Sequence, residues 1–459
     1  MSGRRLVPVA LAFLLTLPAL TTRFYASDEI QFFAWLRSWA FDRDVDFTNE
    51  YTHFYTSTAT AHTALFHETF LERKNEAGRP VNFAPIGCAL LWAPFYAGGH
   101  AAALVLEAPP DGYSRPYIAS VALASACYGL FAVFLSAAIA LRVVGSESRA
   151  ALVVLLGTPL LFYMYVAPGF SHACSAFAVS LFLWLWLRAR EHWTPRAAVL
   201  LGLSGALMAM VREQDLFFIA GPAIDVLRSA ALPSGGRRTI TWSTITAGAV
   251  AFVAGYVPQL LAYQMLNGHP SPTEMVARKM TWTSPHLLEV LFSPEHGLFA
   301  WTPLALIAVL GLLWLIVRPA SVQVAGVRPS DVRWIAMLAI VMVALQAYVS
   351  GCVESWSVAG SFGQRRFVAL TPLLVLGLAG WHAASSARVW RIAMTLVAIV
   401  CIWWNVGLMA QFGLHAMDRQ QLTLAANARW TFVELPRRGP ALVWRYLTNR
   451  SSFYGLPRS

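Results

Sequence analysis

Two adjacent carboxylates follow the first apolar segment of the chain, where residues 24–47 read FYASDEIQFFAWLRSWAFDRDVDF. Asp28 and Glu29 stand at the boundary between that segment and a polar loop. A carboxylate at such a place can act as a general base on an acceptor group. We predict Asp28 as the base and Glu29 as the second catalytic candidate. The alternative is that these acids only solubilise the loop and stabilise a helix N-terminus.

Three arginines are candidates to bind a lipid phosphate. Arg365 and Arg366 follow a glycine-containing turn and precede an apolar segment, and Arg212 lies between two short apolar segments. A guanidinium fork matches phosphate oxygens, and a cation stabilises the charge that grows on a phosphate leaving group. The alternatives are anchoring of Arg365 and Arg366 at the membrane surface and an ion pair of Arg212 within its own hairpin.

Asp42, Glu213 and His296 are weaker candidates for substrate contacts. His296, like His172, is also explained as a hydrogen-bonded structural histidine. The acidic run 42–46 (DRDVD) could hold a divalent cation through oxygen ligands, but we expect no metal and no other cofactor. The five cysteines have no metal-type spacing.

Apolar segments must position these residues. Of 459 residues, 57% are hydrophobic and 12% are charged. Apolar segments lie near 6–22, 84–106, 117–141, 150–167, 172–189, 196–211, 214–228, 242–265, 298–318, 332–350, 366–384 and 389–409. Segments of about 20 apolar residues match helices that cross a ~30 Å hydrocarbon layer. We therefore predict an all-α, polytopic membrane bundle, with residues 1–459 as a single domain.

Basic residues in short loops indicate the orientation of the chain. The turns that we assign to the cytoplasm hold 13 of them: Arg142, Arg149, Arg188, Arg190, Arg196, Arg228, Arg237, Arg238, Arg318, Arg328, Arg333, Arg388 and Arg391. The alternate turns hold five: Arg212, Arg278, Lys279, Arg365 and Arg366. The candidate phosphate ligands thus face the same external side as Asp28.

We also expect Arg4 and Arg5 on the cytoplasmic side. Both expectations hold only if one of the twelve apolar segments enters and leaves the membrane on the same side. Segment 84–106 contains Pro85, Pro94 and two adjacent glycines, and we predict it to be re-entrant or interfacial. About 11 transmembrane helices remain. The alternative is twelve spans with the N-terminus outside.

The prediction makes residues 23–83 the first periplasmic loop and residues 410–459 a periplasmic C-terminal tail. The loop holds nine acids and six bases in a chain of net charge +11. Its juxtamembrane helix has an aromatic face suited to the membrane interface, formed by Phe32, Trp35, Leu36 and Trp39. Ser27 is the expected N-cap.

With these features the sequence resembles the GT-C superfamily of polytopic glycosyltransferases, and most of all its bacterial protein-mannosyltransferase-like and lipid A aminoarabinose transferase-like branch. The similar segments are NFAPIGCALLWAPF (82–95), FSPEHGLFAWTPL (292–304) and SFGQRRF (361–367). One departure is Ala26-Ser27, which stands where protein mannosyltransferases have His-Pro, and it weakens the case for a protein acceptor.

The resemblance implies transfer of a sugar from a polyprenyl-phosphate donor to a hydroxyl or amine of a glycolipid, polysaccharide or protein. The transfer would be an inverting single displacement at the periplasmic face of a bacterial inner membrane, with Asp28 as the base. It also implies that Arg212, in a hairpin where similar proteins often carry a basic residue, meets the lipid phosphate.

Other classes fit less well. A transporter or lipid flippase would carry charges in several spans and often internal repeats, and it remains the alternative function. A non-catalytic scaffold for envelope assembly is a third possibility. We expect no nucleic-acid partner, because the basic residues are scattered among the turns.

Overall fold

The computed structural model describes residues 7–24, 26–58, 60–146, 148–231, 240–322, 324, 326–358, 360–383 and 387–453. Arg4, Arg5, Arg237 and Arg238, which bear on the predicted orientation, lie outside these residues, as does the end of the predicted tail. The described residues form helices and turns, with two isolated β-bridges and no β-strand. The prediction of an all-α fold is confirmed.

The first part of the chain contains one short apolar helix, three helices of the first loop and six further helices. They are α1 (Val7–Thr16), α2 (Ser27–Arg37), α3 (Thr48–Ser57), α4 (Ala64–Phe66), α5 (Gly87–Val105), α6 (Arg115–Val144), α7 (Ser148–Gly157), α8 (Leu160–Tyr165), α9 (His172–Ala189) and α10 (Pro195–Val211). The juxtamembrane helices that the sequence predicts for the first loop are present.

The second part alternates long apolar helices with short connecting ones. They are α11 (Ala220–Ala231), α12 (Trp242–Asn267), α13 (Glu274–Ala277), α14 (Leu287–Phe292), α15 (Leu298–Trp301), α16 (Pro303–Val317), α17 (Pro329–Cys352), α18 (Thr371–Ala383), α19 (Arg388–Gly413), α20 (Leu424–Arg429) and α21 (Leu435–Thr448). The short 3₁₀ or π-helical segments are Leu17–Ala19, Ser38–Asp42, His67–Glu72, Glu213–Ile219, Pro319–Ser321, Arg365–Leu370, Trp430–Glu434 and Arg450–Phe453.

Within the described residues, seven helical segments are long and apolar enough to cross a membrane. They are α5, α6, α9, α12, α17, α19 and the segment Arg365–Ala383, which ends in α18. Three shorter apolar helical segments accompany them: Val7–Ala19, Pro195–Val211 and Pro303–Val317. The chain is a multi-helix membrane protein, and the number of eleven spans stays a prediction.

Segment 84–106 differs from its prediction. It forms one continuous 19-residue helix, α5, which is about 28 Å long at 1.5 Å per residue and does not turn back on itself. Pro94 lies inside this helix. Beside it, the Tyr128 hydroxyl of α6 donates a hydrogen bond of 2.9 Å to the Leu91 carbonyl. A neighbouring helix thus stabilises the backbone where proline disturbs it. The re-entrant form of the prediction is wrong, whereas an interfacial position of α5 stays a prediction.

Helix α18 lies at the centre of the bundle. Of the apolar window in 365–383, 83% is buried, against 17% in α12 at the periphery. Small residues let the central helices approach closely: a Cβ at Gly377 would overlap with the Ala308 carbonyl of α16. Helix α18 also packs against α6, α7 and α9.

The aromatic face of α2, which the sequence predicts to lie in the membrane interface, is largely covered by protein. Trp35 is fully buried, and its Nε1 donates to the Ala84 carbonyl at 2.7 Å. Phe32 packs edge-on against Trp92 of α5. This face therefore fixes α2 on α5 and, with it, the residues at the start of α2.

The segment after α19 packs back on the bundle. Trp403 Nε1 of α19 donates to the Thr431 carbonyl at 3.0 Å, and Gln411 exchanges buried hydrogen bonds with Asn427. The Tyr446 hydroxyl of α21 donates to the Ala19 carbonyl at 3.1 Å. Residues 424–453 thus form a helical cover beside α1 and the end of α19.

Candidate functional site

Asp28 lies in the first turn of α2 and is partly accessible. Arg365 Nη2 contacts Oδ2 of Asp28 at 2.9 Å; the Asp28 side chain is 39% exposed and the Arg365 side chain is 23% exposed. The Arg365 guanidinium also lies over the Phe170 ring, 5.1 Å from the ring centre. The first loop and the segment before α18 therefore meet at one ion pair.

A tight turn before Arg365 sets its direction. Gly363 has a φ of +60°, in the left-handed region that favours glycine, and a Cβ there would lie 2.9 Å from Cγ of Pro159. His296 Nε2 donates to the Ser361 carbonyl at 2.9 Å. Burial lowers the pKa of His296 to about 4, so the ring is neutral near pH 7. We therefore place this predicted contact residue behind the turn, as a support for Arg365.

Arg366 is buried, and three of its guanidinium contacts are within the protein. Its Nη1 donates to the Ser355 and Trp356 carbonyls at 2.9 and 3.3 Å, and its Nη2 donates to Ser355 Oγ at 3.1 Å. The Arg366 carbonyl accepts from Gln346 at 3.0 Å. Arg366 contributes charge to the site, but protein acceptors occupy much of its fork.

Arg212 follows directly after the end of α10. Its Nη1 lies 2.6 Å from His172 Nδ1, and its Nη2 donates to Gln214 at 2.9 Å. Since arginine only donates, His172 Nδ1 must accept, which fixes the neutral tautomer with the proton on Nε2. Gly87, at the start of α5, lies so close to the Met210–Val211 backbone that a Cβ would overlap with it. This contact fixes the end of α10.

These residues form one electrostatic cluster, which we call the arginine cluster: Asp28, Arg212, Arg365, Arg366 and His172. Arg366 interacts electrostatically with Arg365, Arg212 and Asp28, and Arg212 interacts with Arg365, Asp28 and Asp215. Three arginines thus lie near two carboxylates, Asp28 and Asp215. The excess positive charge, together with a carboxylate that solvent can reach, suits an anionic ligand.

Glu29 has a different environment from Asp28. Its side chain is fully buried, Oε2 accepts from the Ala26 N–H at 3.1 Å, and Oε1 accepts from the Gly169 N–H at 3.2 Å. Ala26 is the N-cap of α2, so the expectation of Ser27 in that position is wrong. Glu29 thus accepts the hydrogen bond of the Ala26 N–H, which has no partner within the helix. Its bond to Gly169 links α2 to the loop before α9.

Asp42 and Glu213 lie in other clusters. Asp42 contacts Arg37 and accepts from Asn49. Glu213 accepts from the Tyr263 hydroxyl at 2.5 Å and the Tyr256 hydroxyl at 3.3 Å. Neither carboxylate contacts the arginine cluster, and both have structural partners instead.

The acidic run 42–46 is divided among local turns. Asp44 Oδ1 accepts from Ser38 Oγ at 2.8 Å, and Asp46 Oδ1 accepts from Thr48 Oγ1 at 2.6 Å. Across the part of the chain that the structure describes, no group of three His, Cys, Asp or Glu side chains could hold a metal ion. The run therefore provides local capping.

A separate, more buried ion pair lies in the first loop. Arg37 Nη1 contacts Glu50 Oε1 at 3.1 Å, and Glu50 is fully buried. Burial raises the pKa of Glu50 to about 7. The Arg37 guanidinium also lies 4.5 Å from the centre of the Tyr113 ring. This pair fixes α2 against α3 and the start of α6.

The sequence did not point to two of the aromatic residues around the arginine cluster. The Tyr163 hydroxyl donates to the Phe362 carbonyl at 3.0 Å, and its ring packs edge-on against His172. Phe170 lies under Arg365 and stacks on His172. Aromatic residues are so frequent in this chain that no local pattern distinguishes these two.

Comparisons with known proteins give little further information. No protein-family model and no curated protein sequence matches the chain. Among solved structures, the apo oligosaccharyltransferase of Archaeoglobus fulgidus is similar, with a TM-score of 0.45 and 12% identity. The match covers 97% of this chain and 58% of that one, so this chain spans less than two thirds of that protein's length. The functional conclusion therefore depends on the arginine cluster.

Proposed function

We propose that the chain is a GT-C type glycosyltransferase of a bacterial inner membrane. It moves a sugar from a polyprenyl-phosphate donor to an acceptor hydroxyl on the periplasmic side. The observation that carries this proposal is the ion pair of Asp28 with Arg365 beside Arg212 and Arg366. A base and cations for a phosphate are what this transfer requires of a protein.

In the proposed step the acceptor oxygen attacks C1 of the sugar from the face opposite the phosphate. The C1–O bond to the phosphate breaks, and its electron pair leaves on the polyprenyl phosphate. The acceptor proton passes to the Asp28 carboxylate. The leaving phosphate thereby gains one negative charge, which the nearby arginines stabilise.

Arg365 changes partner in this mechanism. Its pair with Asp28 is partly exposed, and such pairs contribute only ~0–1 kcal/mol, so the pair opens at little cost. A donor phosphate can then take the Arg365 fork in place of the Asp28 carboxylate. Asp28 is released to accept a proton only when donor is bound.

Arg212 is the second proposed phosphate contact, and Arg366 acts mainly through its charge. Arg212 Nη1 is held by a neutral histidine, which orients the guanidinium without neutralising it. Arg366 is only 7% exposed and holds the Ser355–Trp356 backbone. We assign direct binding to Arg365 and Arg212 for this reason.

The test does not require the sugar to be known, because polyprenyl phosphate is the common product. We would measure its binding to the purified protein in nanodiscs for wild type, Arg365→Ala, Arg212→Ala and the surface control Arg278→Ala. The first two variants should bind roughly tenfold or more weakly, and the control should bind normally. Equal binding by all four proteins would contradict the proposal.

Catalysis is tested separately by mass spectrometry of lipid-linked sugars and envelope glycans. Cells with Asp28→Asn should accumulate an unused polyprenyl-phosphate sugar and lack one sugar on an envelope acceptor. Cells with wild-type protein should do neither. An unchanged glycan and lipid profile in both strains would argue for a transporter or a scaffold.

A further inference from the structure

A second feature of the structure is a large cavity outside the arginine cluster. Its volume is about 1390 Å³. It lies between the loop after α1, the end of α3, the C-terminal end of α19 and helix α21. Asp28, Arg212, Arg365 and Arg366 do not line it. The reaction proposed above makes no use of this space.

Most of the cavity wall is apolar and opens to the side. Trp403 and Met409 of α19 face Leu442, Val443 and Leu447 of α21 across it. Val443 and Leu447 are 60% and 69% exposed. Since α19 is long and apolar enough to cross a membrane, we expect this side of the cavity to lie beside lipid chains.

Two arginines, Arg23 and Arg419, also line the cavity, and no Asp or Glu occurs among its described lining residues. Arg419 Nη2 donates to the Phe412 carbonyl at 2.8 Å, and its guanidinium lies over the Phe412 ring. Thr21 and Ser57 line the cavity as well. Its lining therefore combines a large apolar surface with cationic and hydroxyl side chains.

An aromatic layer separates the cavity from the arginine cluster. Phe412, on the cavity wall, packs edge-on against Phe162 and Phe362. The Phe362 carbonyl accepts the hydrogen bond from Tyr163, next to the cluster. Phe24 lines the cavity on the side of the first loop. A ligand in the cavity is therefore distinct from a donor whose phosphate binds at Arg365.

We propose that the cavity binds one anionic membrane lipid, with its chains between α19 and α21 and its headgroup against Arg23 and Arg419. The combination of a mostly apolar lining with two arginines supports an amphiphile over a soluble anion. The lateral opening supports entry from the bilayer. This site does not depend on the identity of the sugar or the acceptor.

Two glycines allow the cavity to be filled without a clash. Gly413 and Gly439 line it, and a Cβ at either would meet no atom within 4 Å. Gly413→Leu and Gly439→Leu should therefore occupy the space that lipid chains need. Gly98→Leu is the matched control, because Gly98 is also open and lies outside the cavity.

The experiment measures the thermal-unfolding midpoint of the full-length protein in detergent during titration with dioleoyl phosphatidylglycerol. Dioleoyl phosphatidylcholine and free glycerol 3-phosphate are the comparison probes. Phosphatidylglycerol should raise the midpoint in wild type and Gly98→Leu, and the rise should be lost in Gly413→Leu/Gly439→Leu. Arg23→Gln should weaken phosphatidylglycerol binding roughly tenfold.

Three outcomes would overturn the proposal. An equal response to phosphatidylcholine would show that the headgroup charge is not recognised. An equal response to glycerol 3-phosphate would show that the chains are not bound. An unchanged response in the doubly filled variant would place the lipid elsewhere. Because polyprenyl phosphate binding at Arg365 is measured separately, failure here leaves the proposed function standing.

Discussion

Asp28 and Arg365 bind each other although they come from distant parts of the chain, with Arg365 Nη2 at 2.9 Å from Asp28 Oδ2. The pair joins the first turn of α2 to the turn that precedes α18. The Asp28 oxygen that contacts the guanidinium is occupied as an acceptor and becomes available for an acceptor proton when the pair opens. The pair therefore provides a way to keep the proposed base inactive until an anion competes for Arg365.

The first prediction concerns Asp28. Asp28→Asn preserves size and hydrogen bonding but removes basicity, so turnover should fall roughly 10²–10⁴-fold while polyprenyl phosphate still binds. The measurement is single-turnover transfer with the donor that accumulates in the variant strain. Asp44→Asn is the control, since Asp44 caps a local turn. Comparable activity in both variants would exclude Asp28 as the base.

Glu29 gives a contrasting second prediction. Glu29→Ala leaves the Ala26 and Gly169 N–H groups without their acceptor, and loss of a cap costs about 0.5–2 kcal/mol. We expect a lower thermal-unfolding midpoint, and Glu29→Gln should recover part of it because its amide oxygen still accepts. A variant with full stability but no turnover would instead make Glu29 a catalytic residue.

A third prediction is that Ala substitutions of Arg365 and Arg366 have different effects. Arg365→Ala should weaken polyprenyl phosphate binding with little loss of stability, and Lys should restore binding only in part because it lacks the planar fork. Arg366→Ala removes the three hydrogen bonds that its guanidinium donates to Ser355 and Trp356, each contributing about 0.5–1.5 kcal/mol. Its main effect should be a lower unfolding midpoint.

If Arg366→Ala unfolds normally and binds the lipid phosphate as poorly as Arg365→Ala, the assignment of Arg366 to a supporting role is wrong. Differential scanning fluorimetry and nanodisc binding, measured on the same preparations, distinguish the two results.

Helices could be predicted from the local sequence, whereas contacts between helices could not. Apolar segments predicted the helices. Loop charges, together with a re-entrant or interfacial segment 84–106, predicted Asp28, Arg212 and Arg365 on one side of the membrane, and the structure brings these three side chains together. Pro94 misled the prediction for 84–106, because a hydroxyl from α6 supports the helix at that point. Such a contact depends on packing that sequence spacing does not encode.

Neighbours in sequence were the hardest to tell apart. Asp28 and Glu29 share a chemistry and a helix turn, yet one is accessible and the other is buried against Gly169. Arg365 and Arg366 differ in the same way, since one meets Asp28 and the other meets Ser355. The partners that decide these roles come from separate segments, and a single sequence carries no signal for such tertiary contacts.

A fourth prediction concerns pH and Glu50. Burial raises its pKa to about 7 in the folded protein from 4.5. Between these values the folded protein holds the proton that the unfolded chain releases, so the contribution of Glu50 to stability should fall by up to ~3 kcal/mol from pH 4.5 to 7. Other groups, such as His296, titrate equally in wild type and Glu50→Gln, so the difference in unfolding free energy between the two proteins isolates this contribution. A difference that stays constant from pH 4.5 to 7 would contradict the prediction.

A fifth prediction tests the orientation. Glu68, in the first loop, and His192, between α9 and α10, are both exposed. Cysteine at position 68 should react with an impermeant maleimide in intact cells, and cysteine at position 192 only after permeabilisation. The asymmetry of basic residues predicts this result. Labelling of both positions from outside would reject the assigned topology.

The central place of α18 has a consequence for biogenesis. Its neighbours α6, α7 and α9 are synthesised well before it, whereas α18 ends at Ala383, late in the chain. Until that segment leaves the ribosome, the earlier helices surround a gap that lipid or other helices must occupy. Final packing, and with it the meeting of Asp28 with Arg365, must therefore wait for late translation. Ribosome-bound chains that stop before this helix would be natural clients for membrane chaperones.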